Sequence, residues 1–128
     1  MQIGEVADAI GLSLRTVRYY EQMGLLKPER RTDGGFRLYS ETQIDRLRLI
    51  KRMKPLGFHI DEMRALLHAR DTLRDPTATT TDREAAHTTL RDYATASTER
   101  VRELQDKLAY AQEFCAQLAD EVSHPDTN

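Results

Sequence analysis

Arginine and tyrosine residues at helical spacing are the feature of this chain most suited to chemistry. Arg15, Arg18, Tyr19 and Gln22 recur at i, i+3, i+4 and i+7, so a helix over this stretch gathers them on one face. Thr16 adds a hydroxyl near the start of that helix. Guanidinium groups pair with guanine edges and phosphates, and hydroxyls and phenols reach phosphate oxygens. A solvated face held by charge pairs would account for the arginines but not for a tyrosine exposed among them. A second basic group, Arg30, Arg31 and Arg37, brackets Asp33-Gly34-Gly35, which is strong tight-turn chemistry between two short strands. Alternation sets Arg37 and Tyr39 on one face of such a hairpin, with Phe36 and Leu38 on the other, facing the helices.

Other chemistries find little support. Cys115 is the single cysteine, and His59, His68, His87 and His124 are scattered without metal-ligand spacing. No nucleophile–base pair and no phosphate-cradling glycine loop is evident. We therefore expect no enzyme, no metal and no cofactor.

The elements that would position these residues are legible. Glu5 to Ile10 forms a short helix, with Val6 and Ile10 on one face and Gly11 as its stop. Ser13 caps the next helix, from Leu14 to about Met23, with Leu14 and Val17 turned inward and Gly24 ending it. Two helices joined by so short a turn make a helix-turn-helix, although a generic αα-hairpin has the same outline. With the hairpin as a wing, the unit would set a helix in a DNA groove and basic residues on the flanking phosphates.

Ser40, with Gln43 three residues on, opens a third helix through a capping box. Ile44, Leu47, Ile50 and Met53 line its buried side. Lys51, Arg52 and Lys54 crowd its end, either as phosphate contacts or as complements to the helix dipole. A fourth helix, roughly Asp61 to Ala69, turns Met63, Leu66 and Leu67 inward. Residues 71–81 read as a linker, and Asp82 caps a long helix running to about Val122. On it Leu90, Ala94, Ser97, Val101, Leu104, Leu108, Ala111, Cys115, Leu118 and Val122 fall at alternating steps of four and three, a heptad seam. At ~1.5 Å per residue this helix is roughly 60 Å long, and its stripe needs a partner, most simply a second copy.

The expected organisation is thus mainly α: a winged helix-turn-helix head over residues 1–70, a linker over 71–81, a coiled-coil dimerisation helix over 82–122 and a disordered tail over 123–128. The net charge of −2 hides an asymmetry, +4 over residues 1–54 and −6 over 55–128. A basic head on an acidic body fits a polyanion-binding module. No apolar run is long enough to cross a bilayer and no signal-peptide layout opens the chain, so the expected location is the cytoplasm, on the nucleoid, with no membrane partner.

Five stretches carry a resemblance: Ile3-Gly4-Glu5-Val6-Ala7, Arg15-Thr16-Val17-Arg18-Tyr19-Tyr20-Glu21, Gly24-Leu25-Leu26-Lys27-Pro28, Arg37-Leu38-Tyr39, and Leu56-Gly57-Phe58 followed by Glu62-Met63-Arg64-Ala65-Leu66-Leu67. On these, residues 1–70 resemble the DNA-binding domain of MerR-family bacterial transcription regulators, while the rest matches in architecture only. The resemblance implies a homodimer with antiparallel long helices on a pseudo-palindromic operator between the −35 and −10 promoter elements. Such a regulator distorts the spacer so that RNA polymerase meets both elements in register, which is indirect readout. It implies DNA contacts from Arg15, Thr16, Arg18 and Tyr19, wing contacts from Arg31 and Arg37, Tyr39 supporting the wing, and Lys54 at a second wing. Leu90, Val101, Leu104, Leu108, Ala111, Cys115 and Leu118 would form the dimer seam.

The sensing end departs from the pattern. Metal-sensing members carry a cysteine pair and redox-sensing members several cysteines, whereas here Cys115 stands alone, and the residues after Val122 offer no binding loop. Cys115 reads as a small seam residue or as a lone reactive thiol answering an unknown small-molecule or stress effector. In an antiparallel pair centred near residue 102, the two Cys115 sulfurs lie on the order of 40 Å apart. Two readings stand beside the effector-responsive regulator: an effector-independent architectural or recombination-directing DNA binder, and an adaptor whose seam recruits another coiled coil.

Overall fold

The computed structural model describes residues 1–28, 30–31 and 37–124, with the backbone alone for Arg30, Arg31 and Arg37. It divides into two compact units, residues 1–91 and 92–128. The first holds α1 (Ile3–Ile10), α2 (Leu14–Gln22), β1 (Arg30–Arg31), β2 (Arg37–Leu38), α3 (Glu41–Met53), a 3-10 turn (Lys54–Leu56), α4 (Ile60–Arg74) and the opening turns of α5 (Thr80–Ser123). The second carries the rest of α5.

Each early helix is closed where its local chemistry demands. α1 starts two residues before the expected Glu5, because the Gln2 N–H donates to the Glu5 carboxylate at 3.0 Å. Its start is also held from a distance: Gln2 bridges Leu38, and the Tyr39 N–H donates to the Met1 carbonyl at 2.8 Å. Gly11 ends α1 at φ 78°, a left-handed conformation that costs a glycine little. Ser13 Oγ accepts from the Thr16 N–H at 3.1 Å, the expected cap of α2. Gly24, again at φ 78°, lets the Leu25 N–H return to the Tyr20 carbonyl at 3.0 Å.

Ser40 caps α3 by accepting from the Gln43 N–H at 3.3 Å, but the expected box does not close. Gln43 Oε1 accepts instead from the Lys27 N–H at 3.0 Å, a donor supplied by the segment after α2. Ile44, Leu47, Ile50 and Met53 are all buried, as the period of α3 requires. They meet Val6, Ala7 and Ile10 of α1, Val17 and Tyr20 of α2, and Leu25 and Leu26 in one apolar core. Leu14 departs from expectation: it is 37% exposed, and the inward positions of α2 are Val17 and Tyr20, at i and i+3.

The linker expected over 71–81 is mostly helix. α4 continues to Arg74 and α5 starts at Thr80, leaving residues 75–79 between them. That connection is a bonded turn: Asp75 Oδ1 accepts from the Thr77 N–H at 2.9 Å and the Thr77 hydroxyl at 2.7 Å. Thr79, not Asp82, is the cap, its hydroxyl accepting from the Asp82 N–H at 3.1 Å. The first turns of α5 belong to the first compact unit, which runs to Arg91, and they bury Ala86. Ser123, assigned to the tail by sequence, is the last residue of α5, and residues 125–128 lie outside the described residues.

The Thr77 hydroxyl, then the Thr77 N–H, holds the Asp75 carboxyl below its ordinary value, with Arg83 adding a smaller pull. A depressed carboxylate adds stability above its unfolded value, and loses it as pH falls through the folded one. An NMR titration should therefore find the Asp75 midpoint below that of a free aspartate, and Thr77→Ala should move it upward. An unmoved midpoint in Thr77→Ala would refute the hydrogen-bond origin.

Candidate nucleic-acid interface

α2 is two-faced. Val17 and Tyr20 are 0% and 3% exposed, while Arg15, Arg18, Tyr19 and Gln22 all lie on the open side. Tyr19, at 47% exposed, sits beside Tyr20 with ring centroids 5.9 Å apart and planes inclined by 48°. The adjacent tyrosines thus divide the work: Tyr20 anchors the helix, and Tyr19 presents its ring outward. Burial, and then the neighbouring Tyr19, pushes the Tyr20 phenol above its ordinary value, which keeps the anchoring ring neutral.

The tertiary fold brings Lys54 to this face. Lys54 opens the turn after α3, and together with Arg15, Thr16, Tyr19, Phe58 and His59 it lines a hollow of about 410 Å³. Sequence spacing could not have joined residues 15–19 to 54–59. The signals missed there were Phe58, which is 6% exposed, and His59, which precedes α4 and donates its backbone N–H to Glu62 at 2.9 Å. Thr16 is half-buried, its hydroxyl 2.7 Å from Ser13 Oγ, so it serves the helix cap as well as the surface.

β1 and β2 pair antiparallel, Arg30 opposite Leu38 and Arg31 opposite Arg37. The connecting turn, the Phe36 assignment and the side chains of Arg31 and Arg37 lie outside the described residues. Tyr39 corrects the alternation reading. It is 4% exposed rather than turned outward, because β2 ends at Leu38 and the strand period does not extend to it. Its hydroxyl donates to the Glu21 carboxylate of α2. Tyr39 therefore ties the end of β2 to the helix that displays the arginines.

Not every cation is turned outward. Lys51, read as a phosphate contact or a dipole complement, donates from Nζ to the Ile10 carbonyl at 2.5 Å. It thereby closes the end of α1, a helix other than its own.

Along α5 the expected seam is open in the single chain. Val101 and Leu104 are each 42% exposed, and Leu108, Ala111, Cys115 and Leu118 are exposed as well, whereas Leu90, in the first unit, is half-buried. Tyr110 and Phe114 are exposed beside it, each one residue before a seam position, a broadening that the strict heptad count overlooked. Among the described residues no three His, Cys, Asp or Glu side chains gather as a metal site, and no helix is long and apolar enough to cross a membrane.

A helix-turn-helix with a cationic, aromatic outer face defines a nucleic-acid-binding class of protein. Comparison with known proteins narrows it. The MerR HTH family regulatory protein profile matches residues 1–70, and the MerR DNA-binding profile matches residues 44–120. The chain is 32% identical over 124 residues to heavy metal-dependent transcription regulator 2 of Rhizobium meliloti, covering 97% of this chain and 76% of that one. It is 47% identical over 70 residues to the mercuric resistance operon regulatory protein of Bacillus cereus, covering 55% of this chain and 53% of the relative.

Among solved structures it is similar to the regulator PbrR691 of Ralstonia metallidurans in complex with lead(II), with a TM-score of 0.54 and 31% identity over 88% of this chain and 86% of that one. A MerR-family regulator of Bacillus thuringiensis shares the fold with a TM-score of 0.71 at 19% identity, over 91% of this chain and 97% of that one. The chain belongs to the MerR family of DNA-binding transcription regulators.

Removing the Tyr39 hydroxyl tests the tie to α2. Tyr39→Phe should lower unfolding stability by about 1.5 kcal/mol in urea titrations, the scale of a hydrogen bond to a charged group. An unchanged midpoint would mean that the bond contributes nothing net.

Proposed function

We propose that the chain acts as a homodimer on a pseudo-palindromic promoter operator and distorts the −35/−10 spacer in response to an effector. The observation that carries this reading is the pairing of two surfaces on one chain: an arginine–tyrosine face on α2, and an unpartnered apolar seam from Val101 to Val122. Two copies joined at the seam would offer two such faces to two half-sites, and half-site spacing then follows from protein symmetry.

In this reading Arg15 and Arg18 reach base edges or phosphates, and Thr16 and Tyr19 reach the backbone. Arg31 and Arg37 supply wing contacts, and Lys54 supplies a phosphate contact at the second wing. Tyr39 contributes from within, as the support of the wing. Leu90, Val101, Leu104, Leu108, Ala111, Cys115 and Leu118 form an antiparallel dimer seam, and RNA polymerase is the partner at the promoter. Relatives named for mercuric resistance and heavy-metal dependence favour an effector-responsive regulator over an effector-independent architectural binder.

Footprinting on the promoter upstream of the chain's own gene, across a salt series, tests this. The expected result is a protected inverted repeat between the −35 and −10 elements with hypersensitive central bases. Arg18→Ala should then cost about 1–3 kcal/mol of operator affinity if the guanidinium makes a bidentate base contact. Weak, sequence-independent protection that salt abolishes would overturn the operator reading. Antiparallel pairing carries its own check: mild oxidation should leave native dimers uncrosslinked, because Cys115 sulfurs far beyond disulfide reach cannot bridge. Ready Cys115–Cys115 crosslinking would argue for parallel helices.

A further inference from the structure

Arg46 stands among the basic residues of the head, yet its guanidinium is spent inside the fold. Its Nε donates to the Leu25 carbonyl at 3.3 Å, and its Nη1 meets Asp71 Oδ1 at 2.6 Å. The side chain is only 16% exposed, against 54% for Asp71. Leu25 follows the Gly24 stop of α2, so its carbonyl belongs to the exit of the arginine–tyrosine helix. Asp71 lies in the last turn of α4, which ends at Arg74. One side chain from α3 thus joins the exit of α2 to the end of α4. A cation at a helix C-terminus is favourable in itself, and a planar fork that binds a carbonyl and a carboxylate together also fixes their separation.

A second arginine works alongside it. Arg64 Nη2 donates to the Met23 carbonyl at 2.7 Å, and its Nη1 pairs with Asp61 at 2.7 Å. Met23 caps the C-terminal end of α2, so the two carbonyls flanking Gly24 both accept from arginines on other helices. Both arginines line one polar cleft of about 320 Å³, with Gly24, Leu25 and Asp71 also in its wall.

We propose that Arg46 is a positioning residue for DNA reading: through the Asp71–Arg46–Leu25 link it holds the exit of α2 against α4 and thereby sets how the α2 face meets base edges. The proposal rests on the operator-binding reading above. It separates Arg46 from the residues that touch DNA, and it makes an acidic residue, Asp71, a contributor to affinity for a polyanion.

That sign supplies the test. Full-length wild type, Arg46→Gln, Asp71→Ala and the double variant are compared on the duplex that wild type protects and on a scrambled duplex of equal length. Charge alone predicts that Asp71→Ala binds both duplexes more tightly, since a negative group is lost. Positioning predicts instead that Arg46→Gln and Asp71→Ala each weaken binding to the protected duplex by about tenfold. The double variant would also lose about tenfold rather than a hundredfold, because the two residues form one link. The salt slope on the scrambled duplex should stay at the wild-type value.

Three results would overturn the proposal. Tighter binding of Asp71→Ala to both duplexes is one. A salt slope reduced by about one in Arg46→Gln, with both duplexes weakened, would mark a phosphate contact. Equal losses on both duplexes, together with a lowered thermal midpoint, would mark damage to the fold alone. If wild type protects no duplex, the operator reading itself fails, an outcome distinct from all three.

Discussion

A helix of nine residues has no stable existence in water, because its few hydrogen bonds do not offset the cost of nucleation. α2 exists because Val17 and Tyr20 are buried against the core formed with α1 and α3. That burial is the constraint on which the rest of the head depends. It turns the helix so that Arg15, Arg18 and Tyr19 have no choice but to face outward. The exposed arginine–tyrosine surface is therefore a by-product of two inward side chains.

Burial sets the roll of the helix, but its ends need separate closure. The helix-turn-helix leaves orphan carbonyls where each helix stops. Glycines at Gly11 and Gly24 reverse the chain, and cations from outside the motif then meet Ile10, Met23 and Leu25. These donors, Lys51, Arg46 and Arg64, come from α3 and α4. Near the same exit of α2, Tyr39 meets Glu21. The basic residues of the head thus fall into two populations, one displayed and one consumed, and the net charge of the first half counts both.

The long helix follows a different rule. From Val101 onward its apolar residues are exposed, and Tyr110 and Phe114 widen the stripe. An apolar stripe of this kind marks an interaction surface, and its heptad step matches the geometry of a second helix. Membership of the MerR family supplies the DNA-binding role of the first unit.

The sequence alone determined much of this protein, where local chemistry suffices. Gly11, Ser13, Gly24 and Ser40 mark helix ends because capping is decided within a turn, and the period of Ile44, Leu47, Ile50 and Met53 is a one-dimensional pattern. The outward face of α2, the heptad seam and the family motifs are likewise written along the chain. Only the tertiary structure decided where each polar group finds its partner. Gln43 abandons its own cap for Lys27, Tyr39 turns inward to Glu21, and Lys54 joins Arg15 across a hollow. Leu14 is left at the surface, and Thr79 displaces Asp82 as the cap of α5. Except at that last cap, these outcomes depend on residues distant in sequence. Hydrogen bonds and burial are satisfied by whichever group the folded chain brings near, and no local pattern records that choice.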